Sequence, residues 1–107
     1  MLLLREYGDE GLVRDLAQLL VETAPAQVDA LTRAVAAGDG QALRAAAHKL
    51  RGSIGPFGAQ EAAETARQLE LMAAEGQLSG ADALSRELVA GVQLLCDSAR
   101  AWLDSGA

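Results

Sequence analysis

Gly40-Gln41-Ala42-Leu43-Arg44-Ala45-Ala46-Ala47-His48-Lys49-Leu50-Arg51-Gly52-Ser53-Ile54 is the stretch whose reading decides the fold. At about 100° per residue, Leu43, Ala46, Ala47, Leu50 and Ile54 fall on one face of a helix. Asp39 stands in front of it as a ready N-cap. Gly55 and Pro56 stand behind it and break it, since proline has no N–H to give and disfavours helix in the residue before it. One apolar face on one helix must be buried against others, and the flanking chain supplies them.

Toward the N-terminus, Gly38 closes a segment whose stripe is Val28, Leu31 and Val35. Pro25 suits the first turn of that segment better than the middle of a longer one. Before it, Asp9 can cap a helix over about Glu10 to Glu22, with Leu12, Leu16, Leu19, Leu20 and Thr23 at helical spacing. The sequence leaves open whether these are two helices or one helix kinked at Pro25. Toward the C-terminus, a helix starts near Gly58 or Ala59 and runs to Glu75, with Gly76 as its stop. Ser79 and Asp82 have the spacing of a capping box. They would open the longest segment, with Leu84, Leu88, Val92, Leu95, Ala99 and Trp102 facing inward and Trp102 and Leu103 closing the bundle end. Ser105 to Ala107 should fray. No segment alternates as a strand would. Short connections make antiparallel neighbours. The expectation is an all-α fold: an antiparallel up-down four-helix bundle with a short additional N-terminal helical segment. It would be one domain over residues 1–107, with an ordered core of about 9–103.

The bulk properties agree with this. Half of the 107 residues are apolar, and only Tyr7, Phe57 and Trp102 are aromatic, so the core must be built of Leu, Val and Ala. The net charge of −6 disfavours a nucleic-acid partner. No apolar run approaches the ~20 residues that span a bilayer. Met1 to Leu4 is too short for a signal-peptide core. Cys96 is the only cysteine, which excludes an intrachain disulfide and a cysteine metal site; it reads as a buried, inert thiol. The expected location is cytoplasmic and the expected state monomeric, since the bundle closes its own core.

Chemistry shows at one place. His48 is the only histidine, and it lies nearly opposite Leu50, on the outward face with Gln41, Arg44, Ala45, Arg51, Gly52 and Gly55. A glycine at position 52, inside a helix, costs about 1 kcal/mol relative to alanine. A missing side chain one turn from the imidazole clears room for another surface. Arg44 and Arg51 flank the ring; guanidinium groups suit phosphoryl oxygens, though solvated arginines in weak surface pairs would read the same way. Imidazole, with an ordinary pKa of about 6.5, is largely neutral and nucleophilic at cellular pH. A lone His without spaced partners is a poor metal site, so no metal is expected. Glu61, Glu64 and Glu70 read as a solvated face, and no carboxylate pair has a base or pocket beside it.

The run His48-Lys49-Leu50-Arg51-Gly52-Ser53, followed by Gly55 and Gly58-Ala59, resembles the signature of histidine-containing phosphotransfer (HPt) domains, His-x-Leu-Lys-Gly-Ser and a later Gly. The likeness extends loosely through helix order, length and a Glu-rich fourth helix ending Gln68-Leu69-Glu70. It implies a bundle whose exposed His48 is phosphorylated at the ring nitrogen distal to the backbone. An aspartyl phosphate on one response-regulator receiver, or a kinase, would be the donor, and an aspartate of another receiver the acceptor. By the same likeness Arg51 takes the place of the family's basic residue, usually Lys, and Gly52 is the clearance glycine. Arg44, Lys49 and Ala45 would be phosphate or docking neighbours. The chain itself would bind no cofactor; Mg²⁺ would sit in the partner receiver. With no Gly-rich nucleotide loop, it would be a phosphocarrier without autokinase activity.

The alternative is a non-phosphorylated receiver-binding module of the same fold. A dimerisation-type kinase helix fits poorly, since it follows its His with an acid and a nearby Pro, where this chain has Lys49 and no Pro before Pro56. The phosphotransfer domain of a chemotaxis-type kinase fits better: its string is similar to His-x-Ile-Lys-Gly-x-x-Gly-x-Phe-Gly, matched by His48, Arg51, Gly52, Gly55, Phe57 and Gly58. That origin, a hybrid sensor histidine kinase and a free-standing carrier all remain open.

Overall fold

A computed structural model describes residues 10–105 of the chain, and among them every regular element is helical. Helix α1 spans Glu10–Ala37, α2 Gly40–Ile54, α3 Gln60–Ala74 and α4 Ala81–Asp104, with a short 3₁₀ turn at Gly55–Phe57 between α2 and α3. α1 packs on α2 and α4, and α3 packs on the same two, which closes a four-helix bundle. Its long axis is 44 Å. That is close to the ~42 Å expected of the 28-residue α1 at 1.5 Å per residue.

The connections follow from local chemistry. Gly38 adopts φ +65°, its N–H bonded to Val35 O and the Asp39 N–H to Ala34 O, the paired pattern of a Schellman stop. Asp39 then turns round and caps α2, its Oδ1 accepting from the Ala42 N–H at 3.1 Å. Two residues thus end one helix and start the next. Gly76 repeats the device at φ +71°, with bonds to Ala73 O and, from Gln77, to Met72 O.

Three expectations are corrected. First, no separate N-terminal segment exists among the described residues: α1 runs unbroken through Pro25. An interior proline costs ~3 kcal/mol and leaves the Val21 carbonyl without its usual donor. Buried residues on both sides of it, Leu20 and Ala24 before, Leu31 and Ala34 after, lie on one stripe and offset that cost, each large apolar side chain contributing roughly 1.5–3 kcal/mol. Asp9, its expected cap, lies outside the described residues, as do Gly106 and Ala107 of the tail.

Second, the α1 stripe is rotated, and the α4 stripe holds at Leu88, Val92 and Ala99 but not at its other positions. α1 buries Val13, Ala17, Leu20 and Ala24, whereas Leu12 and Leu19 are exposed and Leu16 only partly covered. α4 buries Ala81, Ser85, Leu88, Val92, Cys96 and Ala99, with Leu84, Leu95 and Trp102 at the margin. Small residues share these buried faces with Val13, Leu20, Leu88 and Val92. At Gly91 of α4 a Cβ would come within 3.2 Å of Ala62 Cβ on α3. Third, the Ser79–Asp82 capping box does not form. α4 starts at Ala81 behind Gly80, with no side-chain cap, and Asp82 pairs with Arg86 at 3.1 Å instead.

The stripe of α2 is as read: Leu43, Ala46, Ala47, Leu50 and Ile54 are all buried. Cys96 is buried too, and burial pushes its thiol pKa up. Trp102 is partly buried at the bundle end, with the Arg14 guanidinium 5.7 Å from its ring centre. No helix among the described residues is long and apolar enough to cross a membrane.

Candidate functional site

Burying that stripe fixes what α2 turns outward. The His48 side chain is 68% exposed, halfway along a helix held on both flanks. On the α1 flank Ser53 Oγ donates to Gln27 Oε1 at 3.0 Å and fastens α2 in place. On the α3 flank stands a residue that the sequence reading set aside. Glu70 is only 14% exposed, and its Oε1 lies 2.9 Å from His48 Nδ1.

Glu70 determines the chemistry of the ring. An ionised carboxylate only accepts hydrogen bonds, so Nδ1 must carry the proton and donate it. A neutral imidazole with Nδ1–H has its lone pair on Nε2. Among the described residues nothing hydrogen-bonds to Nε2. The contact thus favours the Nδ1–H tautomer of the neutral ring, on a side chain that is largely exposed.

Arg51 completes this support. Its Nε is 3.0 Å from Glu70 Oε2, and its Nη2 is 3.5 Å from His48 Nδ1. The Oε2 contact is an ion pair without hydrogen-bond alignment, since Oε2 is covered and accepts no hydrogen bond. Nδ1 cannot both donate to Glu70 and accept from Arg51; the 2.9 Å contact with a carboxylate outweighs one at 3.5 Å.

The remaining candidates divide between the two sides of His48. Arg44 and Ala45 line an open hollow of about 380 Å³ together with Gln41, His48 and Glu70. Lys49 and Gly52 lie on the other side, along a groove of about 280 Å³ that Leu16, Leu19 and Phe57 also line. A Cβ at Gly52 would meet nothing within 4 Å, so no packing inside the chain requires glycine there. The structure thus brings His48, Arg51 and the missed Glu70 into direct contact, and sets Arg44, Ala45, Lys49 and Gly52 around them. The missed signal was one of register: Glu70 lies four residues after Ala66 and three before Ala73, both buried, on the edge of the α3 stripe. No group of three or more metal-ligating side chains occurs among the described residues.

Fold and site together define a helical bundle that presents one exposed histidine, its ring contacted by a carboxylate and a cation. A family model described as Hpt domain matches residues 15–102, and the chain belongs to that family. Its members are histidine phosphotransfer domains of two-component phosphorelays, carriers that interact with the receiver domains of response regulators. No curated protein and no solved structure matches the chain.

Proposed function

We propose that this domain accepts a phosphoryl group on Nε2 of His48 from a receiver-domain aspartate, or from a kinase, and passes it to an aspartate of another receiver. The observation that carries this is the 2.9 Å contact of Glu70 with Nδ1: with the proton of a neutral ring donated there, the lone pair is on Nε2. Phosphoryl transfer between such groups needs in-line positioning and charge compensation more than elaborate covalent machinery. Here His48 is the phosphoacceptor, and the Nδ1 proton stays between ring and Glu70 while Nε2 forms the N–P bond. Of the two arginines beside it, Arg51 is paired with Glu70, and Arg44 is the one left to supply positive charge.

Docking would use the cleared face around His48: Gly52, Ala45 and Lys49, with the apolar groove at Leu16 and Leu19. α2 carries Arg44, Lys49 and Arg51 and no acidic residue, so in a chain of net charge −6 it is the local positive surface. It suits the acidic, Mg²⁺-holding pocket expected of a receiver. The chain would act as a carrier without autokinase activity and hold no cofactor of its own.

The test is incubation with receivers phosphorylated on aspartate with radiolabelled phosphate, in Mg²⁺, alongside His48→Gln. Acid-labile, alkali-stable label on the native chain, absent from the variant, is expected. Binding of receivers without any label would instead make this a receiver-binding module.

A further inference from the structure

We infer that Arg44, and not Arg51, is the cation that binds the phosphoryl group on His48, and that the task of Arg51 is to hold Glu70. This rests on the reading of His48 as phosphoacceptor and assigns the two arginines around it.

Arg51 is already committed. Its Nε faces Glu70 Oε2 at 3.0 Å and its Nη2 lies beside Nδ1, the edge of the ring away from the nitrogen that would carry phosphorus. Glu70 is largely covered, and a covered carboxylate needs a cation. The pair Glu70 and Arg51 is neutral as a unit. A phosphoryl group arriving on Nε2 adds negative charge that this pair does not compensate.

Arg44 is uncommitted. Arg33, Arg67, Arg86 and Arg100 each close an ion pair with a carboxylate three or four residues away on their own helix. Arg44 makes no ion pair among the described residues, because the positions one turn away are Gly40, Gln41, Ala47 and His48. It stands one turn before His48, where i,i+4 side chains are neighbours, and lines the hollow that His48 and Glu70 share. A free guanidinium beside an outward nucleophile is placed for fork-like binding of phosphoryl oxygens.

Phosphoramidate provides the test, since this small donor needs no docking surface. The Nε2 lone pair forms the N–P bond as the P–N bond of the reagent breaks and ammonia leaves, while the Nδ1 proton stays on the ring. ³¹P NMR over a pH series then reads the phosphoryl titration midpoint, which a neighbouring cation lowers. Arg44→Gln should raise the midpoint, by about half a pH unit for an exposed pair. It should do so more than Arg51→Gln does, and Arg44→Lys should restore most of the change. In the unphosphorylated domain the order reverses: Arg51→Gln alters the ¹⁵N resonances of His48, through Glu70, and Arg44→Gln leaves them in place. A larger midpoint shift in Arg51→Gln, or none in Arg44→Gln, would overturn the assignment. If the native chain shows no phosphohistidine signal that His48→Gln removes, the carrier reading itself fails and takes the assignment with it.

Discussion

Gly52 and Gly91 both stand inside helices, where glycine costs about 1 kcal/mol, yet their surroundings are opposite. At Gly91 a Cβ would press on Ala62 Cβ at 3.2 Å, so this glycine lets α3 and α4 approach. At Gly52 a Cβ would meet open space. One glycine serves the fold from within; the other has no such role, and on the proposed function it keeps a surface clear for a partner. The charges divide in the same way. On the α3 surface that leads to the α3–α4 seam, Arg67 is closed onto Glu64, its hydrogen bond holding that carboxyl below the usual range. On the His48 face Arg44 and Lys49 make no ion pair among the described residues. The exposed pair on α3 is satisfied within the chain, whereas on the proposed function the His48 face leaves cations for a partner.

The comparison can be broken by substitution. The largest expected effect is at His48: His48→Gln should abolish phosphate incorporation while leaving the melting temperature unchanged, because the side chain is exposed and packs into no core. Glu70→Gln keeps shape but loses the charge-assisted bond to Nδ1. It should slow incorporation roughly ten- to hundredfold, the equivalent of about 1.5–3 kcal/mol, in a rate measurement with a small phosphodonor. Gly91→Val should overpack the seam and lower stability by about 1–3 kcal/mol in urea unfolding, with the transfer rate per folded molecule unaltered. Gly52→Ala should do the reverse. Stability rises by about 1 kcal/mol, and transfer from a phosphorylated receiver slows several-fold while labelling by phosphoramidate is unchanged. Equal responses at the two glycines would erase the distinction between face and seam.

How legible each part was in the sequence depended on the size and charge of its residues. The α2 stripe was read correctly because Leu43, Leu50 and Ile54 mark it unambiguously and Asp39 and Gly55 bound it. The stripe of α1 was misplaced, and that of α4 right only at Leu88, Val92 and Ala99, because small residues, Ala17, Ala24, Ala81 and Ser85, take up much of the buried face. Apolarity alone favours the neighbouring leucines, although bundle geometry rewards small residues there. Pro25 was read by its local cost, which burial on both sides outweighs. His48 was legible because its outward position follows from the α2 stripe. Glu70 was not, because a glutamate in an Ala- and Glu-rich helix looks solvated until the register of α3 against α2 is known.

The central claim is that Glu70 holds the Nδ1 proton and leaves Nε2 as the nucleophile. With a single histidine in the chain, ¹⁵N NMR of His48 before and after phosphorylation tests it most directly. The account predicts the Nδ1–H tautomer in the free domain, at a pH where the imidazole is neutral, and phosphorus coupled to Nε2 afterwards. An Nε2–H tautomer, or phosphorus on Nδ1, would contradict it.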